Sequence, residues 1–522
     1  MTHKGKGKTM KQKVMKNRAK LKNLENCYDD HLNESLPENF YRGDIASSSR
    51  MLAYSDTLLA TCATFLVLPI RNLKSQKEHQ NLSDFIHSMY ADFIMFFLGF
   101  IIVLTIWENM NHRAIVIKRV DDFILTLVAF EMMAATVLPF LLALKGHYPK
   151  EKVSILSICV VLSILQLIDI GIVLYATFSP KLVHVDLKNW TKSDLRNLIM
   201  IMIFRPLVRL FLLVIASVFC LVDYRASIAF IGLLVFIPTI NKLYWFTRRR
   251  MNKFEETEKD SFLLHFSKGN VSKERVQSMT DSAIAVIACM LIMDITVENF
   301  PKVQADKVGL QTKLESMKLE FLAFFATFCL VSGLWFVNHA VLHLFKTINS
   351  ITLYLQKTFL AFCCLFPLTV NIVLRFAPKG NQDSNIAIRF TSLILFFSST
   401  ANFTMLLYGL LNGTKYLHTW ASIAYFKLNT RQHLYTLAKV LNIPFWSLVC
   451  TFASFGSSTI VPYVLYITFL ATVCSFFAIK IIFMNHIGKK VAYFKREIIT
   501  KTKRNAKRTT PKSICKLKPI IT

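Results

Sequence analysis

Arg50-Met-Leu-Ala-Tyr-Ser-Asp56 and Arg275-Val-Gln-Ser-Met-Thr-Asp281 each carry an arginine and an aspartate at matching places and then open an apolar run of about twenty residues. The two stretches lie 225 residues apart in a chain of 522, close to half its length. Two later landmarks keep step: Trp107 with Trp335, and Pro139 in Leu-Pro-Phe with Pro367 in Phe-Pro-Leu, both at an offset of 228. Ordered matches at a nearly constant offset mark a duplicated unit, and a duplication decides the fold before finer detail does.

The composition names the solvent. Hydrophobic residues make up 53% of the chain, 44 residues are Phe, and charged residues are only 18%. Twelve apolar runs fall near 51–70, 85–106, 121–144, 153–177, 197–221, 226–246, 278–297, 316–338, 350–376, 386–411, 433–455 and 458–484. Each is long enough for a helix rising 1.5 Å per residue to cross a hydrocarbon core of roughly 30 Å. The predicted fold is therefore an all-α membrane protein of twelve transmembrane helices, arranged as two homologous six-helix repeats with the same topology. The expected organisation is a basic arm over 1–49, a first repeat over 50–247, a charged linker over 248–274, a second repeat over 275–484 and a basic tail over 485–522.

The first 22 residues hold nine Lys/Arg and no apolar core, so the first apolar run is expected to serve as the targeting signal. Between Lys489 and Lys518 lie twelve more Lys/Arg against one Glu. Both tails should stay cytosolic under the positive-inside rule, and an even helix count puts them on one side. A net charge of +30 raises nucleic acid as a partner, but the charge sits in the tails and in Arg248-Arg-Arg250 rather than on a folded basic surface. Contact with anionic lipid headgroups accounts for it. Nine of the eleven Cys lie in predicted helices and the other two, Cys27 and Cys515, in the tails, so no disulfide framework is expected. No cysteine spacing matches a metal motif, no catalytic constellation is present, and the chain reads as a non-enzyme without cofactors.

Aspartate at the start of a membrane helix costs about 2.5 kcal/mol or more unless it is paired, wet or interfacial. Asp56 and Asp281 are expected to hydrogen-bond neighbouring helices, with Ser55 and Thr280 beside them and Arg50 and Arg275 in the headgroup layer. Downstream, Thr57, Thr61, Thr64 and Leu68 run at helical spacing, matched by Ser282, Val286, Cys289 and Met293. One hydroxyl in such a place normally bonds back to a carbonyl one turn earlier. Three in line, at matching places in a duplicated chain, point to a polar path with an apolar constriction.

Absences narrow the class. There is no Thr-Val-Gly-Tyr-Gly filter, no ladder of arginines at every third position, no Walker loop, and only 15 Gly. Arg205 and Arg209, spaced i, i+4, are expected to pair with Glu131 or Asp169. His112 and His339, each after an Asn near the end of the second and eighth runs, are expected to be interfacial hydrogen bonders. A passive channel and a secondary transporter both suit duplicated halves with intramembrane charge. The scarcity of Gly, and paired prolines away from the polar stripes, favour the channel.

A chain of this plan resembles the transmembrane protein 175 family, potassium channels of late endosomes and lysosomes that lack the usual filter and whose first and seventh helices begin with Arg-x-x-x-Phe-Ser-Asp; here Tyr54 replaces the Phe in the first copy and Met279-Thr280 the Phe-Ser in the second. The resemblance rests on Arg50, Tyr54, Ser55 and Asp56, on Arg275, Met279, Thr280 and Asp281, on Leu291-Ile-Met-Asp-Ile295, and on Trp335-Phe-Val-Asn-His339. It implies a pore walled by the first and seventh helices, an isoleucine from each as the constriction, and threonines one turn further on contributing to potassium selectivity. It also implies a homodimer that passes potassium and protons. The isoleucine positions fall on Thr61 and Val286 and the threonine positions on Thr64 and Cys289, so the chain departs from the pattern at three of these four places. A ring of two Thr61 and two Val286 is half as apolar as one of four isoleucines, and its dewetting barrier should be lower.

Overall fold

In the computed structural model the apolar runs become helices. The structure describes residues 46–71, 81–179, 182–183, 192–223, 225–234, 236–237, 271–293, 295–296, 310–377, 381–457, 460–461 and 463–483. The arm up to residue 45, most of the linker, the tail, Cys27, Cys515 and Asp294 lie outside them.

In the first half, α1 spans Ser48–Phe65, α2 Leu68–Arg71, α3 Leu82–Ser88, α4 Tyr90–Val116, α5 Asp122–His147, α6 Lys152–Phe178, α7 Lys192–Val222 and α8 Arg225–Leu234. A two-residue strand before α1, β1 (Ala46–Ser47), pairs antiparallel with β2 (Arg119–Val120) after α4. In the second half, α9 spans Lys273–Met293, α10 Leu310–Ser316, α11 Lys318–Leu344, α12 Ser350–Cys364, α13 Phe366–Phe376, α14 Gln382–Asn412, α15 Phe426–Ala453 and α16 Tyr463–Phe483. Among the described residues eleven helical spans are long and apolar enough to cross a membrane. The run expected at 226–246 appears only as the shorter α8, and the rest of it lies mostly outside the described residues.

Three differences from the expected spans have physical causes. The helix α4 runs to Val116, ten residues beyond the predicted end, because Glu108, Asn111, His112 and Arg113 are buried within protein rather than stopping at a headgroup layer. α1 ends at Phe65, and α2 starts at Leu68 after a turn in which Val67 N–H donates to Thr64 O at 3.2 Å. Pro69 accounts for the break, since it has no N–H to donate to the Phe65 carbonyl four residues back and its ring crowds that carbonyl. Pro139 sits inside the continuous α5, whereas Pro367 falls in the first turn of α13, where its missing N–H costs nothing, and the span divides at Leu365.

Several local contacts occur twice. Asp121 caps α5 by accepting from Ile124 N–H at 3.0 Å and also accepts from Tyr175 Oη at 2.6 Å. Asn349 caps α12 by accepting from Thr352 N–H at 2.9 Å and donates to Tyr408 Oη at 2.5 Å. Antiparallel bridges join Ile117 to Val183 and Phe345 to Leu417. Pro206 lies inside α7 and Pro444 inside α15. α1 and α9 pack side by side, and a continuous apolar core runs from Leu59 on α1 through Ile287 on α9 to Phe359 on α12.

Candidate functional site

Asp56 is fully buried and ties three helices together. Its Oδ1 accepts from Trp107 Nε1 on α4 at 2.7 Å and from Arg275 Nη2 on α9 at 2.6 Å. Arg275 also donates from Nη2 to Leu52 O at 2.9 Å and from Nε to Asn111 Oδ1 at 3.0 Å. The matching contact in the second half is Trp335 Nε1 to Asp281 Oδ1 at 2.7 Å, but Asp281 and Trp335 are exposed. Arg50 is also exposed and makes no ion pair with Asp281. The repeated junction thus has one closed copy and one open copy.

Along α1 the exposed or half-exposed positions after Arg50 include Tyr54, Thr57, Thr61 and Phe65; along α9 they include Ser282, Ala285, Val286, Cys289 and Met293. The two strips adjoin where the Thr57 and Ser282 hydroxyls meet at 3.3 Å. Thr64 departs from the expected stripe: it is fully buried, and its hydroxyl donates to Thr61 O at 2.9 Å. Toward its end α1 sinks into the bundle with Cys62, Ala63 and Thr64, which narrows its open face to Thr61 and Phe65. Leu68 is half-buried beyond the helix break. Thr57 and Thr61 donate back to Ala53 O at 3.1 Å and Thr57 O at 2.8 Å, leaving hydroxyl lone pairs free to face outward. Ser55 donates to Met51 O at 2.9 Å, and Met279 and Thr280 are buried.

Behind this face the two halves use different chemistry. In the first half Arg113 donates from Nη2 to Glu131 Oε2 at 2.7 Å and from Nη1 to Asp169 Oδ1. This corrects the expected pairing: Arg113, not Arg205 or Arg209, takes both acids. From sequence, Arg113 at the end of an apolar run looks like a headgroup residue; the helix carries it inward. Lys357 on α12 reaches Glu108 Oε1 on α4 at 2.9 Å, a second ionic tie between the halves. In the second half the network is neutral. Asn338 Nδ2 donates to Gln356 Oε1 at 2.9 Å and Asn402 Oδ1 at 2.7 Å, and Gln356 Nε2 donates to Thr280 Oγ1 at 2.8 Å. Taking Tyr175 with Tyr408 as register, Asn402 stands where the first half has Asp169. His112 is buried, whereas His339 is exposed against the Trp335 ring at 5.7 Å. Outside the spans, His418 is held below its usual range by burial and then by the positive charge of Lys273, His343 and Lys346. No group of three or more metal-ligating side chains occurs among the described residues.

The family model described as "Endosomal/lysosomal potassium channel TMEM175" matches residues 50–139 and 275–367, beginning in each half at the junction arginine and ending at the paired proline. Similar proteins include the "Endosomal/lysosomal proton channel TMEM175" of Danio rerio, 29% identical over 409 residues and covering 76% of each chain. Those of Mus musculus and Homo sapiens are 28% and 26% identical, covering 83% and 84% of this chain and 86% of their own. The model thus falls on both halves, and relatives named as TMEM175 ion channels are similar to this chain over most of its length.

Proposed function

We propose that the protein is a potassium-permeable cation channel of an endosomal or lysosomal membrane, with a proton leak, and that two copies enclose a pore lined by α1 and α9. The observation that carries this reading is the open face on which Thr57 and Thr61 adjoin Ser282, Val286, Cys289 and Met293, with no helix among the described residues covering it. An exposed hydroxyl-bearing strip in a membrane protein is costly against lipid and favourable against water, and a second copy converts one into the other. Thr61 and Val286 would form the constriction. Thr64 acts from behind the wall, because its hydroxyl holds the carbonyl of Thr61.

The repeat reading extends the proposal to twelve spans in two six-helix units of the same topology, over 50–247 and 275–484. The paired caps, bridges and prolines support it. Both termini and the linker 248–274 would lie in the cytosol, where the basic arm and tail meet anionic lipid. Relatives are named as proton channels and the family as potassium channels, and passive flow of both ions suits a narrow hydroxyl-lined path better than a coupled transporter does. The test is full-length protein in liposomes with a potassium gradient and no co-substrate. Sustained potassium efflux collapsing the gradient supports the proposal; efflux only when a second solute is supplied overturns it.

A further inference from the structure

The buried charges carried by α4, α5, α6, α7 and the facing α12 do not cancel. Arg113, Arg205, Arg209 and Lys357 are all buried, together with Glu108, Glu131 and Asp169. The acids are taken: Glu131 and Asp169 by Arg113, Glu108 by Lys357. Arg205 and Arg209, one turn apart on α7, make no ion pair within the described residues, and Arg205 Nε, Arg209 Nε and Arg209 Nη2 are sealed from solvent without a hydrogen-bond partner. A positive charge is left over near the middle of four apolar helices, where an uncompensated charge is expensive.

Arg209 lines a cavity of about 20 Å³ between α4, α6, α7 and α8, with Gln166 and Thr105 as its other polar residues. Gln166 Oε1 also lacks a partner. A void needs roughly 10–15 Å³ to hold a single water-sized particle, so this one admits a monatomic species and excludes phosphate or a carboxylate. Its walls, Ile102, Leu162, Leu213 and Leu234, are apolar. Water would occupy the hydrogen bonds but leave the charge. A halide accepts from Arg209 and cancels the charge as well, and Gln166, with its amide turned over, offers Nε2 to the same point.

We propose that this cavity is a chloride site, in which Arg209 and Gln166 hold one anion that locks α4, α6, α7 and α8 together. The ion is structural and does not lie on the open face of α1 and α9. The test uses the purified full chain exchanged exhaustively into potassium gluconate and titrated with potassium chloride at constant ionic strength. The thermal midpoint should rise with chloride and saturate, following the one-site relation in which the folding equilibrium grows as 1 + [Cl⁻]/Kd. Bromide should substitute and give an anomalous-scattering peak beside the Arg209 guanidinium. Arg209→Gln should abolish both effects. Should that variant not fold, the wild-type titration and the bromide peak decide between them. A midpoint indifferent to chloride, a bromide peak elsewhere, or a chloride response that survives in Arg209→Gln overturns the proposal and leaves a buried water in the cavity.

Discussion

Removing Asp56 should damage the protein far more than removing Asp281, although the sequence presents them as equivalents. Asp56 is inaccessible to solvent and accepts from Arg275 at 2.6 Å and Trp107 at 2.7 Å. Asp56→Ala strands a guanidinium whose side chain is 18% exposed and an indole N–H on α4. Breaking a buried pair by deleting one partner costs about 3–5 kcal/mol, and the partial exposure of Arg275 places this case near 3. Asp281→Ala gives up one hydrogen bond from the exposed Trp335, worth about 0.5–1.5 kcal/mol. The double-mutant cycle of Asp56→Asn with Arg275→Gln should return a coupling of about 2 kcal/mol, since each change alone leaves the other group unpaired. Folded yield by fluorescence-detected size-exclusion chromatography and thermal midpoint in detergent measure both effects. Equal losses for the two aspartates, or a coupling near zero, would refute the anchoring role.

Further outcomes follow from the same geometry. Arg113→Leu should destabilise more than Glu131→Gln or Asp169→Asn, because it leaves two buried carboxylates facing each other, and combining all three changes should recover much of the loss; thermal midpoints of the four variants check this. His418 has a lowered pKa in the folded state, so its neutral form is the one the fold favours. The stability it contributes is present above the ordinary value near 6.5 and is lost as pH falls below it, and His418→Gln should flatten the midpoint-versus-pH curve between 7.5 and 5.5. Asn81, exposed at the start of α3 in Asn-Leu-Ser, should be glycosylated when the protein is made in a secretory membrane, and a glycosidase should shift its mobility. Cleavage of either tail by protease from the lumenal side of sealed vesicles would refute that topology.

The sequence carried the class of fold because apolar length is read directly by lipid, and the junction because a charge at such a place needs a partner. It carried less of the detail. Arg113 was hidden because a cation at the end of an apolar run looks the same whether it meets headgroups or folds inward. Lys357 and Glu108 were hidden because their pairing depends on how the halves dock, which no local pattern encodes. The stripe ending in Thr64 and Leu68 assumed a straight helix of constant depth; Pro69 was the signal for the break, while the sinking of α1 had none. The offset read at the tryptophans and prolines could have been followed further. Asp121 with Asn349, Tyr175 with Tyr408, and Pro206 with Pro444 continue it at 228, 233 and 238, each step adding residues in a loop.

The claim that ions pass along α1 and α9 is tested most directly by bi-ionic potassium and sodium recordings from the reconstituted wild type beside Thr61→Ile, Val286→Asn, Thr64→Ala and Cys289→Thr. Thr61→Ile should cut the current by restoring an apolar constriction, and Val286→Asn should raise it by wetting the ring. Thr64→Ala should move the reversal potential toward less potassium preference, and Cys289→Thr, which replaces a thiol with a better ligand for a hard cation, should move it the other way. Currents and reversal potentials unchanged in all four would mean that the path lies elsewhere in the protein.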